Sequence, residues 1–219
     1  MQIVKPIYGQ DYFPGTTLFT RDLASEISDG IAWFENHDEE LKFVEGLSSD
    51  IYETGASHVV SVKNKEWGIE SSIGGVNNVR LVNYFEDPNM LVVCREPYIM
   101  YDAVADEKLD WQTSKIGSGY DYFSYIGHLL AITTGLQEVF PFIRKLPPIG
   151  HQDGKWVCST FEAEGFYHTQ MFNNAGMYKK WNIHRIHVHK LWNLFPYKGS
   201  RFDKVRKGKG IKTVTYERR

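Results

Sequence analysis

The chain has 219 residues, 42% hydrophobic and 15% aromatic, with a net charge of −2, which suits one large domain with a substantial core. Its apolar runs fall short of the roughly 18 residues that span a bilayer, so no membrane span is predicted. Residues 1–6 lack the features of a secretory signal, so we expect cytoplasmic synthesis, and delivery elsewhere would need another machine.

The first half of the chain predicts a sheet interrupted by a helix and then by a second short helix with a loop in residues 38–54. Alternating apolar residues and turn signals predict strands at residues 16–20, 57–62, 67–72, 76–85 and 90–95. Between the first two strands, apolar residues at spacings of three and four predict a helix over residues 22–36.

The second half of the chain predicts helices that would pack on this sheet. They are expected at residues 98–111, at residues 121–135 with Asp121 as N-cap, and at residues 157–170. The fold class is therefore predicted to be α+β, with an antiparallel sheet packed against helices.

Charge is distributed unevenly along the chain. Residues 178–219 contain 13 Lys and Arg against 2 Asp and Glu, whereas the other 177 residues contain 12 against 25. We therefore divide the chain into a domain of residues 1–175 and a basic C-terminal extension of residues 176–219. The extension is predicted to dock on the acidic domain or on a partner in a protein assembly.

The two cysteines make a disulfide framework unexpected. Cys94 ends a short apolar run and is interpreted as a small hydrophobic residue of a buried strand. Cys158, in the segment KWVCST at residues 155–160, begins a predicted helix. Unpaired N–H groups and the helix dipole favour a thiolate there, so Cys158 is the candidate nucleophile.

His58 is the candidate general base among eight histidines. It opens the predicted strand of residues 57–62, a rigid mount for an imidazole that titrates near pH ~6.5. Glu70, on the returning strand, could orient the other ring nitrogen. A four-residue loop would put the two side chains on opposite faces, whereas an odd loop or a bulge would pair them directly. We predict the odd loop.

Two other features have alternative interpretations. His187 and His189 would share one face of a strand and could bind a metal, but no third ligand lies nearby in sequence, so exposed histidines are the default and no metal or cofactor is predicted. Residues 204–212 are rich in lysine, arginine and glycine and could contact phosphates. A solvated terminal segment is the preferred interpretation, so nucleic acid is not a predicted partner.

Several of these stretches, taken in order, resemble motifs of the circularly permuted NlpC-type branch of the papain-like superfamily. They are residues 15–20, 57–60, 68–71, 74–81, 119–122 and 155–160. The resemblance spans roughly residues 14–170 and implies a permuted papain-like fold. It also implies Cys158 as nucleophile, His58 as base and Glu70 as the orienting residue.

The resemblance implies a cysteine hydrolase that cleaves peptide or isopeptide bonds through a thioacyl intermediate, with cell-wall peptides as the favoured substrate. Trp156, Tyr120 and Tyr122 are predicted to line the substrate site. One alternative is an acyltransferase or lipid deacylase on the same fold. Another is a structural or docking component of a larger assembly, such as a phage virion, with an auxiliary or vestigial site. The chain departs from the family pattern at Thr16, Val60 and Thr160.

Overall fold

The computed structural model describes residues 6–26, 28, 56–97, 100–123, 152–170, 188 and 191. Five strands in these residues form one antiparallel sheet: β1 (Thr17–Asp22), β2 (His58–Val62), β3 (Trp67–Ser72), β4 (Gly75–Arg80) and β5 (Met90–Arg95). Their spatial order is β4-β3-β2-β1-β5. The helices with full bounds are α1 (Val82–Glu86), α2 (Asp102–Ser114) and α3 (Cys158–Tyr167). The predicted α+β class, with an antiparallel sheet and helices, is confirmed.

Some predicted element bounds are wrong. The strand predicted at residues 76–85 ends at Arg80, and the chain then forms α1. The apolar side chains of Leu81, Tyr84 and Phe85 are spaced three and four residues apart, which suits a helix as well as a strand. The helix predicted from residue 22 begins later, because β1 continues through Asp22.

The other bounds differ by a few residues. The helix predicted from residue 98 is α2, which begins at Asp102, and the cysteine-bearing helix is α3, which begins at Cys158 and ends at Tyr167. Most of the helices predicted at residues 22–36 and 121–135 lies outside the described residues.

The sheet separates two apolar layers. Because side chains alternate along a strand, Phe19 and Val59 face α2 and α3, whereas Leu18 and Val60 face the other side. That other side is covered by α1 and by the segment before β1, including Tyr12. Each fully buried side chain of this size contributes about 1.5–3 kcal/mol to folding.

Two apolar residues of the basic extension belong to the core. Val188 is 2% exposed and Leu191 is 0% exposed, and both pack in the cluster that contains Phe19 and Cys158. Part of the extension therefore packs against the domain that precedes it in sequence. The predicted boundary at residue 175 lies outside the described residues.

A buried ion pair joins α2 and α3 to the sheet. The side chains of Lys108 and Glu162 are 0% and 2% exposed, and Nζ of Lys108 donates to Oε1 of Glu162. Nζ also donates to the carbonyl oxygen of Gly15 at 2.9 Å. The Glu162 carboxylate accepts three further hydrogen bonds, from Thr17, Ser61 and Gln112. The ion pair therefore connects α2, α3, β1 and β2.

Glycine permits the close packing around this ion pair. A Cβ at Gly165 of α3 would lie 2.9 Å from Nε2 of Gln112 and 3.1 Å from Cγ of Lys108. Gly15, before β1, has φ +83, and a Cβ there would lie 2.6 Å from Cβ of Ala105. A larger residue at either position would push α2 away from its neighbours.

We predict that Lys108→Met lowers the free energy of unfolding by about 3–5 kcal/mol, because it leaves the charge of Glu162 buried without its cation. The measurement is urea unfolding followed by circular dichroism. Lys65→Met, at an exposed position in the β2–β3 turn, is the matched control and should change stability by less than about 0.5 kcal/mol. A loss below about 1 kcal/mol for Lys108→Met would contradict the role assigned to the ion pair.

Candidate active site

Cys158 is the first residue of α3 and is 9% exposed. Val157, before it, has an extended backbone with φ −82 and ψ 162, and no side chain caps the helix. The first N–H groups of a helix have no acceptor within the helix, so the amide of Cys158 is a potential donor to a bound oxygen. The sulfur and this amide therefore begin the same helix.

The segment before Cys158 is attached to the sheet. Oγ of Ser71 donates to the carbonyl oxygen of Trp156 at 2.6 Å, and Trp156 forms a parallel bridge with Tyr120. The amide of Asp121 also donates to the same Trp156 carbonyl at 3.3 Å. These contacts determine where the chain enters α3, and so where the thiol lies.

The β2–β3 hairpin has the predicted odd loop. The amide of Lys63 donates to the carbonyl of Trp67 at 2.9 Å, which leaves a three-residue loop at residues 64–66. The paired residues are Ser61 with Ile69 and Val62 with Gly68. With this parity, the side chains of His58 and Glu70 are on the same face of the sheet.

The predicted direct pairing of His58 with Glu70 is wrong. Extending the register would place Val60 opposite Glu70, because the loop is centred one residue later than direct pairing requires. The described β2–β3 pairs stop at Ser61 and Ile69. His58 and Glu70 therefore meet diagonally, beyond the last described pair, rather than as cross-strand partners.

The structure brings Cys158, His58 and Glu70 together. Nε2 of His58 lies 2.8 Å from Oε2 of Glu70. The imidazole is also close enough to the side chain of Cys158 for that side chain to raise the pKa of His58. Since Nε2 contacts Glu70, Nδ1 is the nitrogen that remains for the thiol. The side chains of His58 and Glu70 are 24% and 13% exposed, so the contacts are shielded but open to solvent on one side.

The protonation of His58 is decided by its charged neighbours. Burial alone would lower its pKa, but the charge and hydrogen bond of Cys158, and then those of Glu70, raise the pKa from 6.5 to about 10. Because this folded-state pKa lies above the unfolded value, protonation of His58 stabilises the fold. The contribution is complete below pH 6.5 and is lost as the pH rises through about 10.

Sequence reasoning missed two residues that contact Glu70. The hydroxyl of Tyr84 donates to Oε2 of Glu70, the same oxygen that His58 contacts, and the Ser72 side chain also forms a hydrogen bond with this carboxylate. Burial raises the pKa of Glu70, but the His58 contacts, followed by these hydroxyls, outweigh it and lower the pKa. No sequence signal marked Tyr84, which lies in a segment predicted as a strand.

The predicted substrate-site residues lie near the start of α3 but differ in exposure. Trp156 is 7% exposed in the core, where its Nε1 donates to Glu164 at 2.7 Å, so little of its ring is open to a substrate. Tyr120 is half-buried, and its ring lies 5.1 Å from that of Tyr122. Tyr122 is 46% exposed and donates its hydroxyl to the Ile73 carbonyl at 2.6 Å.

The described part of the chain contains no group of three or more histidine, cysteine, aspartate or glutamate side chains that could hold a metal ion. His187 and His189 lie outside it. None of the helices described here has the length and apolar character needed to cross a bilayer.

Comparison with protein-family models, with curated proteins and with solved structures gave no match. The described residues place a thiol at a helix start, an imidazole beside it, and a carboxylate hydrogen-bonded to that imidazole.

We predict that the imidazole of His58 titrates near pH 10 in the wild type and at lower pH in Cys158→Ala. The variant removes the largest contributions that raise the pKa, whereas the lowering effect of burial remains. Histidine side-chain NMR across pH measures both values. His168, whose pKa is lowered by burial and by Lys115, is the internal control and should titrate identically in both proteins. An unchanged His58 titration would contradict the contact with the thiol.

Proposed function

We propose that this chain is a cysteine hydrolase of amide bonds, on a permuted papain-like fold, with Cys158 as nucleophile, His58 as base and Glu70 as the residue that orients His58. The observation that carries the proposal is that the imidazole of His58 lies between the Cys158 side chain, which raises its pKa, and the Glu70 carboxylate, to which it is hydrogen-bonded. A nucleophile, a base and a group that orients the base are the parts that covalent acyl transfer needs.

In the first half of the proposed reaction, His58 accepts the proton of the Cys158 thiol and becomes an imidazolium. The thiolate attacks the carbonyl carbon of the substrate, a C–S bond forms, and an electron pair moves onto the oxygen. The backbone N–H of Cys158 donates to this oxyanion. The C–N bond then breaks as the imidazolium gives its proton to the leaving nitrogen, which leaves a thioester on Cys158.

In the second half, a water molecule gives a proton to His58 as its oxygen attacks the thioester carbon. The C–S bond breaks, the carboxylic acid product leaves, and the proton on His58 returns to the sulfur. Glu70 holds the imidazole in one orientation throughout both halves, since its carboxylate accepts from Nε2. The balanced products are a carboxylic acid and an amine.

Peptide stems of the bacterial cell wall are the substrate that we favour, and this choice rests on the family resemblance. A second candidate is thioester acyl transfer or lipid deacylation on the same residues. An exposed apolar group near the start of α3 favours it: Ile73, Tyr122 and Phe123 are 69%, 46% and 56% exposed. Tyr120, two residues before Tyr122 in sequence, forms a β-bridge with Trp156, which is two residues before Cys158.

We predict that the wild-type protein cleaves a member of a muropeptide panel. Cys158→Ala should abolish turnover, and His58→Ala should reduce turnover to the background level. Removing either member of a nucleophile–base pair has this effect, because neither acts alone. Product formation by liquid chromatography and mass spectrometry is the measurement. A panel of acyl esters and thioesters is assayed in parallel, and turnover of this panel instead of the muropeptides would favour the second candidate function. Turnover of any substrate by Cys158→Ala would contradict the mechanism.

We also predict that iodoacetamide alkylates Cys158 faster than Cys94 at neutral pH. Cys158 and Cys94 are 9% and 8% exposed, so access is matched and a rate difference reports chemistry. In His58→Ala the preference should fall by about tenfold or more, because the imidazolium that stabilises the thiolate is lost. Peptide mapping after timed alkylation gives both rates. Equal rates in the wild type would count against an activated thiol.

A further inference from the structure

Tyr84 is attached to the proposed site through Glu70. Its hydroxyl donates to Oε2 of Glu70, and the same oxygen lies 2.8 Å from Nε2 of His58. One carboxylate oxygen therefore receives a donor from α1 and a donor from β2. Two donors on one oxygen restrict the rotation of the carboxylate far more than one donor does.

The position of Tyr84 is itself supported by packing. Its ring packs against the apolar cluster that contains Leu18 and Val60. The amide of Leu81, just before α1, donates to the Glu66 carbonyl at 2.8 Å, and the Leu81 side chain is fully buried. The hydroxyl is therefore held by a packed helix rather than by a loose surface loop.

The chemistry of the hydroxyl suits a permanent donor. Burial raises the pKa of Tyr84, and the charge and hydrogen bond of Glu70, followed by the charge of Cys158, raise it further. The phenol therefore stays protonated at neutral pH and keeps its proton as a donor to Glu70. A hydroxyl that never ionises can hold a carboxylate without competing for the proton that His58 transfers.

We propose that Tyr84 is a positioning residue, which holds the Glu70 carboxylate against His58 and thereby keeps the imidazole aligned with the Cys158 thiol. This inference rests on the proposed function for the role of the thiol, but not on any particular substrate. Tyr84 acts through Glu70, so its effect should disappear when Glu70 is absent. A residue needed only for folding would show no such dependence.

The test compares Tyr84→Phe in the wild-type background and in Glu70→Ala. The variant keeps the ring and its packing and removes only the hydroxyl. We expect alkylation of Cys158 by iodoacetamide to slow about fivefold in the first background and to be unchanged in the second. Tyr8→Phe is the matched control, because Tyr8 packs against Phe85 of the same helix at 5.8 Å between ring centroids, and it should leave the rate unaltered.

A spectroscopic measurement accompanies the rates. The Nε2–H proton of His58 should give a hydrogen-bonded NMR signal in the wild type and in Tyr8→Phe, and this signal should broaden or move in Tyr84→Phe. The inference would be overturned if Cys158 of Tyr84→Phe were alkylated at the wild-type rate. An equal slowing of alkylation in both backgrounds would overturn it too. Because neither measurement uses a hydrolysable substrate, loss of the hydrolase proposal alone would leave these outcomes unchanged.

Discussion

The ion pair between Lys108 and Glu162 is the constraint on which the rest of the structure depends. Two charges without contact to solvent are tolerated only when they are paired and their remaining hydrogen-bonding positions are filled. Here the carboxylate of Glu162 accepts donors from α2 and from two adjacent strands, β1 and β2. The buried charge is therefore satisfied when α2, α3 and these strands have this arrangement, and other arrangements leave it without partners.

The proposed site follows from that arrangement. Cys158 and Glu162 are four residues apart and so lie on the same face of α3. When Glu162 is bound to α2 and the strands, the first turn of the helix is held against the sheet at the place where the described β2–β3 pairing ends. There the imidazole of His58 reaches the thiol on one side and Glu70 on the other.

Charge rather than burial decides the state of that site. Partial burial of the His58 imidazole would by itself lower its pKa, because desolvation disfavours the charged form. The contacts with Cys158, and then those with Glu70, reverse this effect and raise the pKa of His58. The contacts with His58, followed by the hydroxyls of Tyr84 and Ser72, lower the pKa of Glu70. The packing of Val188 and Leu191 beside Cys158 shows that even the basic extension contributes apolar surface to the same core.

Local information in the sequence determined much of this protein. Alternation predicted most of the strands, and the start of a predicted helix marked Cys158, because each depends on neighbours in the chain. The sequence left the parity of the β2–β3 hairpin open, and the three-residue loop of the structure decides it. Only the tertiary structure decided the exact register, the hydroxyl of Tyr84 on Glu70, and the partners of Glu162. Lys108 is 54 residues from Glu162, and Thr17 is 145 residues from it. No periodic pattern in the sequence predicts contacts between residues so far apart in the chain. These contacts form only when separate helices and strands pack around the same buried carboxylate.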